Sequence, residues 1–507
     1  MTVINALLVI CCCIFGMGSA FAECDIAGQT GLKLFSKTGT DAPRNLMPLP
    51  EPGKSVPEDC DFYQWAWQTF MFVTQPSQSA GGKPSFLTYP TFEDLFGIKA
   101  SPLFSDQQAG SLSLAPRGAK LPNGSTEAIN DFEQAGLKDV LVDQNGNLVW
   151  YAIHLNQDFA RFVKDYRLTD PNVLAHIPQN LEFRPGVVEL KSAWQIVEGP
   201  APKNFITTVA TVPLFKNDKD GKIVKDGTRT RKVTVALLGI HVVGVIEGHP
   251  EFIWATFEHV SHKPDAVDAN KNWSRDVAPA AASNPGPGNS TVVVMNGAKY
   301  ALYPGGENKV TQPVISGANK GAPLNGAGPG QKLTLDVQSQ KFSPITPIYR
   351  LYPGSQEVDG QPDTKTGEDG AVVGQNLAIK KAFTNAGRVE SDVRSNYQLV
   401  GAVWLNDPSR DLILGQSISD VPPPNPPLKV ATFGGENRLS STTMESFTQD
   451  SNASPNCFAC HDARHSTAPV GLRLDASLLN VSHVLSKYYE VVKNGEKPAS
   501  EAVAKPK

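Results

Sequence analysis

The sequence predicts a mainly β protein with additional helices, of the α+β class, in which a large β-rich domain precedes a short helical segment. The 507 residues include 43 glycines and 40 prolines, a composition that favours short strands and many turns over long helices. Apolar runs typical of strands recur between residues 140 and 260. A proline-rich stretch, VPPPNPPL at 421–428, separates the C-terminal segment from the rest.

The first element is an export signal over residues 1–22. Its apolar run ends in Ser19-Ala20-Phe21-Ala22, which has the A-x-A form of a cleavage site, although no Lys or Arg precedes the run. The segment is too short, and too interrupted by glycine, for a transmembrane helix. We therefore expect cleavage after Ala22, a periplasmic or secreted location, and no stable membrane anchor after cleavage.

Cysteine usage agrees with export. Three of the seven cysteines leave with the signal, and four remain: Cys24, Cys60, Cys457 and Cys460. A disulfide between Cys24 and Cys60 would persist in an oxidising compartment and would stabilise the N-terminal region by roughly 3–4 kcal/mol in the chain-entropy model. Two separate thiols are the alternative.

Residues 23–420 form the predicted β-rich domain. The predicted strands are Gly186–Val197, Phe205–Phe215, Lys232–Ile246, Glu251–Val260 and Tyr397–Leu405, and the predicted helices are Asp61–Val73, Gln157–Tyr166 and Gln375–Ala386. The aromatic helix Asp61–Val73 is expected in the core. Asn145-Gly146, between apolar runs, predicts a hairpin. Lys232–Ile246 is apolar on both alternating faces, which predicts a central strand covered on both sides.

The remaining boundaries follow from composition. Residues 263–344 are rich in Gly, Asn, Ala and Pro with little periodicity, which predicts a long irregular loop region. We expect a Pro-rich linker at 421–432, a haem-binding segment at 433–495 and a disordered tail at 496–507.

The strongest motif is Cys457-Phe458-Ala459-Cys460-His461. Two cysteines three positions apart can form thioethers with the two vinyl groups of a haem, and the adjacent histidine can then reach the iron. A redox-active disulfide would require a thioredoxin-like context, and a zinc site would require a second pair of ligands; neither accompanies the motif. The motif predicts one covalent haem c, with Cys457 and Cys460 as anchors and His461 as axial ligand.

Through these five residues behind an export signal, the chain resembles the c-type cytochromes over about its last sixty to seventy residues. The resemblance implies electron transfer, with a downstream methionine as the usual second axial ligand. This sequence departs from that pattern, because no methionine follows Met444.

The sequence therefore leaves several candidates for the second axial ligand. Met444 lies near the motif on TTMESF, where Thr442-x-x-Glu445 has the form of a capping box. An open or water-filled position is the main alternative. His465 lies on the same helical face as His461, so it cannot easily reach the opposite side of the iron. His483 lies opposite the apolar stripe of a predicted last helix, which predicts a solvated side chain.

A second histidine cluster is Glu258-His259-Val260-Ser261-His262. Histidines and a carboxylate can bind a metal ion. On a strand, however, His259 and His262 point to opposite faces, so both could bind only if the chain turns after Val260. Ordinary histidines at the core edge and the surface are the favoured interpretation.

These observations give three hypotheses for function. The first is an exported single-haem protein that transfers electrons in the periplasm, with the β-rich domain forming part of the haem pocket because the haem segment is short. The second is a haem-dependent oxidoreductase with a substrate site in the β-rich domain, and the third is a non-enzymatic envelope binding module with a structural haem. The partner is a redox protein or a small-molecule substrate. A net charge of -4 gives no reason to expect nucleic acid.

Overall fold

The computed structural model describes part of the chain in detail. The described residues are 59–96, 111–114, 118–120, 126–128, 140–143, 145–260, 333–343, 357–358, 361–362, 370–406, 433–435, 439, 441–446, 457–459, 461, 474 and 477–493. The predicted signal, Cys24, the linker at 421–432 and the tail at 496–507 lie outside these residues.

The helices and strands of the described residues follow in chain order. The α-helices are α1 (Asp59–Val73), α2 (Phe92–Phe96), α3 (Gln157–Asp165), α4 (Pro171–Leu174), α5 (Gly370–Asn385) and α6 (His483–Lys493). The strands are β1 (Pro76–Ser77), β2 (Lys83–Pro84), β3 (Leu112–Ser113), β4 (Gly118–Lys120), β5 (Thr126–Ala128), β6 (Trp150–Leu155), β7 (Val188–Ile196), β8 (Thr207–Asn217), β9 (Ile223–Ile246), β10 (His249–His259), β11 (Thr334–Asp336), β12 (Lys341–Ser343), β13 (Glu357–Val358), β14 (Gln361–Pro362), β15 (Tyr397–Leu405) and β16 (Phe433–Gly435).

The main sheet has eight strands, in the order β16-β15-β10-β9-β7-β6, with β8 paired to β9 and β3 paired to β8. The β3–β8 pair is parallel, and the other pairs are antiparallel. Strand β9 is 24 residues long, so it pairs with β8 along its first part and with β7 along its second. This large sheet with a few helices confirms the predicted α+β class.

Two apolar cores cover the opposite faces of the sheet. Because side chains alternate along a strand, Ile240 and Val242 of β9 point into the first core, and Val243 and Val245 point into the second. Helices α1 and α5 lie in the first core, and α2, α3, α4 and α6 lie in the second. The second half of β9 is buried throughout, which confirms the prediction of a central strand.

Helix α1 is the aromatic helix of the first core, as the sequence predicted. Phe62, Trp65, Phe70 and Met71 are all buried. The Phe70 ring stacks on Phe257 of β10, with ring centroids 4.4 Å apart. Burying such side chains contributes about 1.5–3 kcal/mol each, so α1 is a principal source of stability for this face.

The predicted hairpin at Asn145-Gly146 is a turn with very little strand before it. Gly146 has a φ of 76°, and its N–H donates to the Asp143 carbonyl over 3.0 Å. The preceding apolar run contributes only an isolated bridge between Val142 and Leu148. The turn was therefore predicted at the right place, but Gly146 alone has a positive φ and Asn145 does not. The length of the first strand was not predicted correctly.

The predicted irregular region at 263–344 contains a hairpin that the sequence analysis missed. Strands β11 and β12 pair antiparallel, and Leu335 and Phe342 extend the first core. The Phe342 N–H donates to the Gly146 carbonyl over 2.7 Å. Each strand has only three residues, too few to show a periodicity of two against a Gly-rich background.

Candidate functional site

The segment Cys457–His461 begins in a tight turn. Cys457–Ala459 form a 3-10 helix, and the His461 N–H donates to the Cys457 carbonyl over 3.0 Å. This bond brings the histidine back towards the first cysteine. Cys460 lies outside the described residues, so its predicted role stays a prediction.

The motif packs against the large sheet through aromatic contacts. Phe458 is buried in the second core, and its ring lies edge-on to Trp254 of β10, with centroids 6.3 Å apart. The Trp254 ring also lies 4.2 Å from the imidazole of His461. The described part of the motif therefore contacts the β-rich part of the chain.

The imidazole of His461 is held in one orientation by a backbone carbonyl. Its Nδ1 lies 2.9 Å from the carbonyl oxygen of Val481. Since a carbonyl only accepts hydrogen bonds, Nδ1 carries the proton, and the lone pair of Nε2 is left for another ligand. Burial, and then the neighbouring His483, hold the pKa of His461 well below its usual value, so the ring is neutral at pH 7. A neutral ring with its Nδ1 bound is the form that ligates metals.

His483 was predicted to be solvated, and that prediction is wrong. It is only partly exposed, and its ring stacks on His461 with centroids 3.9 Å apart and an interplanar angle of 16°. The prediction assumed one continuous helix from Leu474 onwards. In the structure a 3-10 helix (Ser477–Val481) comes first, and α6 begins only at His483. The change of helix geometry rotates His483 towards the motif. His465 lies outside the described residues.

The sheet face beneath the motif carries several polar side chains. Lys191 of β7 pairs with His241 of β9, and His241 pairs with Thr256 of β10, so these three side chains lie on one face. His241 Nδ1 lies 2.9 Å from Thr256 Oγ1, and its Nε2 lies 2.9 Å from Glu445 Oε1. Although burial opposes ionisation, His241 lowers the pKa of Glu445 below its usual value.

Residues 441–446 are bound to this same face. The Thr442 N–H and hydroxyl donate to Glu258 Oε1 over 2.7 and 3.1 Å, and the Tyr151 hydroxyl donates to the Thr443 carbonyl over 2.6 Å. Met444 is buried within this turn. Its neighbour Glu445 reaches His241, one of the groups that lower the pKa of His461. Met444 and His461 therefore lie on the same side of the sheet.

The predicted capping box is displaced by one residue. Ser441, and not Thr442, accepts hydrogen bonds from the N–H groups of Thr443 and Met444, and Glu445 accepts from the Ser441 N–H over 2.8 Å. Thr442 does not cap the turn because its hydroxyl is bound to Glu258 of the sheet. A long-range partner therefore decides which residue caps this turn.

A further contact links β7 to the segment after the motif. The Ser482 hydroxyl donates to Glu189 Oε2 over 2.7 Å, and Ser482 is fully buried. Burial raises the pKa of Glu189 to about 7, although Ser482 and then Lys191 lower it. The carboxyl group can therefore change its charge near neutral pH.

The predicted cluster at Glu258, His259 and His262 does not form a metal site among the described residues. Glu258 binds Thr442 on one face of β10, whereas His259 Nε2 lies 2.9 Å from the Asn204 carbonyl and its ring stacks on Phe205. Strand alternation separates the two side chains, and His262 lies outside the described residues. No group of three or more potential ligands occurs among the residues that the structure describes.

Cys60 is disulfide-bonded at the start of α1. Its partner lies outside the described residues, so the pairing with Cys24 stays a prediction. Within the described ranges, no helix is both long and apolar enough to span a membrane.

No protein-family model, curated protein or solved structure matches this chain.

The described residues fit a haem iron in two respects. His461 presents a neutral imidazole with Nδ1 bound to a carbonyl, and Cys457 lies one helical turn away. Aromatic rings flank the motif, as an apolar macrocycle requires. Sequence analysis missed Trp254 and Glu189, because only strand pairing brings these side chains close to the motif.

Proposed function

We propose that the chain is an exported protein that holds one covalent haem c and transfers electrons in the periplasm. Cys457 and Cys460 would anchor the haem, and His461 would bind its iron. The single observation that carries this proposal is the hydrogen bond from His461 Nδ1 to the Val481 carbonyl, within a Cys-x-x-Cys-His motif. A covalently held haem supplies reversible one-electron exchange at its iron.

The residues of the chain have separate tasks in this proposal. Val481 orients the imidazole, so that Nε2 keeps its lone pair for the iron. Trp254 and Phe458 exclude water from one side of the motif. The bonds of Thr442 and Thr443 to the sheet fix the turn that carries Met444. Met444 is the candidate that would supply a second ligand to the iron, and the alternative is that the protein would supply none.

The optical spectrum of the purified protein, in both redox states, tests the proposal. Expression with the haem-attachment machinery should give one haem per chain that resists extraction by acid and organic solvent. Cys457→Ala together with Cys460→Ala should abolish the covalent attachment. A wild-type chain that emerges without haem would contradict the proposal.

Met444→Ala distinguishes the two states of the second axial position. If Met444 ligates the iron, the variant changes a six-coordinate low-spin spectrum into a five-coordinate high-spin one, and its potential falls. If the spectrum is high-spin in the wild type and unchanged in the variant, the position is open.

A haem-dependent oxidoreductase is the second candidate function. The observation that favours it is the polar sheet face beside His461, where Lys191 and His241 pair directly and Glu445 binds His241. Such side chains can bind a polar substrate and move protons. A high-spin iron whose spectrum responds to peroxide or to a small anionic substrate would favour this candidate over electron transfer alone. A haem that is redox-inert would instead indicate a binding module.

A further inference from the structure

The segment that follows the haem motif is joined to the sheet by two consecutive residues. The Val481 carbonyl accepts from His461 Nδ1 over 2.9 Å, and the next residue, Ser482, donates to Glu189 Oε2 over 2.7 Å. We propose that Glu189 is a positioning residue for the iron ligand, which acts through Ser482 and the Val481 carbonyl to fix the orientation and basicity of His461. This inference rests on the proposed haem function.

Glu189 is suited to this role because it belongs to a rigid element. It pairs with Leu155 of β6 and with Val243 of β9, in the interior of the sheet. The segment at 477–481, in contrast, is a short 3-10 helix, which needs an external contact to be held in place. The groups that orient a ligating histidine commonly change metal affinity or activity by 10–100-fold when they are removed.

The buried hydroxyl of Ser482 forms two hydrogen bonds. Its side chain is fully buried, and its hydroxyl also accepts from the Val484 N–H over 3.3 Å at the start of α6. The Ser482 hydroxyl therefore links Glu189 of β7 to the start of α6. Ser482 directly follows Val481, whose carbonyl binds His461. A displacement of Ser482 would move the Val481 carbonyl with it.

The charge of Glu189 gives this arrangement an electrostatic consequence. An ionised carboxylate near the iron stabilises the oxidised state, which carries one more positive charge than the reduced state. The other titratable groups that face this region are Lys191 on β7, His241 on β9, and His461 and His483 beside Ser482. Burial raises the pKa of Glu189 to about 7, so its charge develops between about pH 6 and 8.

Glu189→Gln tests the proposal in the full-length haem-loaded protein, since glutamine keeps an acceptor for Ser482 and removes the charge. At a fixed applied potential, the oxidised-to-reduced ratio of the wild type should rise by about fivefold between pH 6 and 8 as Glu189 ionises. That rise should be lost in Glu189→Gln. Glu182→Gln is the matched control, since Glu182 is exposed and lies in the chain segment just before β7. The oxidised-to-reduced ratio of this variant should depend on pH as in the wild type.

Ser482→Ala removes the hydrogen bond and leaves the carboxylate in place. We expect a larger high-spin fraction in its optical spectrum, because the Val481 carbonyl is less firmly held against His461. Equal pH profiles in the wild type and Glu189→Gln, together with an unchanged spectrum in Ser482→Ala, would overturn the role of Glu189 and leave the proposed function intact. A wild-type chain that does not attach haem would overturn both.

Discussion

At the scale of single residues, a buried carboxyl group at the Asn145-Gly146 turn controls part of the pH dependence of stability. Asp143 Oδ1 accepts from the N–H groups of Asn145 and Asn147 over 2.9 and 2.8 Å, and its Oδ2 is buried with no hydrogen-bond partner among the described residues. Burial raises the pKa of Asp143 to about 6, although these bonds and Lys341 lower it. The protonated carboxyl is therefore favoured in the folded state.

We predict that Asp143→Asn removes a pH-dependent loss of stability. In the wild type, the stabilisation from the raised pKa is complete below about pH 4 and is lost as pH rises through 6. Relative to the wild type, the variant should therefore gain roughly 2 kcal/mol in free energy of unfolding between pH 4 and 7.5. Urea unfolding at several pH values measures this.

The chain contains a matched control for that experiment. Asp218 forms the same turn, with its Oδ1 accepting from the N–H groups of Asp220 and Lys222 and its carbonyl accepting from Gly221, but the turn faces solvent. Asp218→Asn makes the same substitution in a turn that faces solvent, so any effect that comes from the turn's hydrogen bonds alone should appear in it as well. Equal pH dependence in the two variants would contradict the assignment to burial.

At the scale of elements, the turn at 441–446 depends on bonds that come from distant strands. We predict that Tyr151→Phe, which removes the bond to the Thr443 carbonyl, costs about 1 kcal/mol of stability and raises amide exchange at 441–446. Hydrogen exchange with mass spectrometry measures the local effect.

Tyr397→Phe is the control for this prediction. The Tyr397 hydroxyl is also buried, and it donates to the Leu237 carbonyl and accepts from the Ile206 N–H. Its loss should cost a similar amount of stability without raising exchange at 441–446. If amide exchange at 441–446 is the same in both variants, the Tyr151 hydrogen bond does not stabilise this turn.

Strand β9 passes close to helix α1 at a glycine. A Cβ atom added at Gly244 would lie 2.9 Å from a ring carbon of Trp65 and 3.2 Å from the Val187 carbonyl. We predict that Gly244→Ala destabilises the protein by about 1–3 kcal/mol, because the ring and the strand must move apart. Thermal unfolding measures this cost, and Gly244→Ala combined with Trp65→Phe should recover part of it. No recovery would show that the clash with the backbone dominates.

At the scale of the whole molecule, the C-terminal segment completes the second core. Its described apolar residues pack with residues from the sheet and from α2, and the Tyr488 ring stacks on Phe96 with centroids 4.1 Å apart. The Tyr488 hydroxyl also donates to the Thr169 carbonyl over 2.8 Å. The segment and the sheet therefore share one apolar core.

We predict that a chain ending at residue 432 exposes that core. Side chains including Val243, Trp254 and Val403 would lose their cover, so the truncated chain should bind ANS and aggregate, whereas full-length protein should not. ANS fluorescence and light scattering measure the difference. A truncated chain that stays monomeric and binds no dye would show that the segment is an independent appendage.

The fold was predictable where local pattern and tertiary environment agree. Strand β15 was predicted at its observed bounds, Tyr397–Leu405, and α3 differs from its prediction by one residue. The β11–β12 hairpin was missed because its short strands lie in a Gly-rich region. His483 was misplaced because the helix register changes between a 3-10 turn and α6.

The sequence by itself carries the prediction of haem attachment, because Cys457, Cys460 and His461 lie within five consecutive positions and form a recognisable pattern without any distant residue. It also determined the α+β class, since apolar periodicity is a local property. Only the tertiary structure decided which side chains surround His461. Val481, Trp254 and Glu189 are brought to it by strand register and by the packing of the C-terminal segment, and such contacts between distant residues leave no local pattern in a sequence.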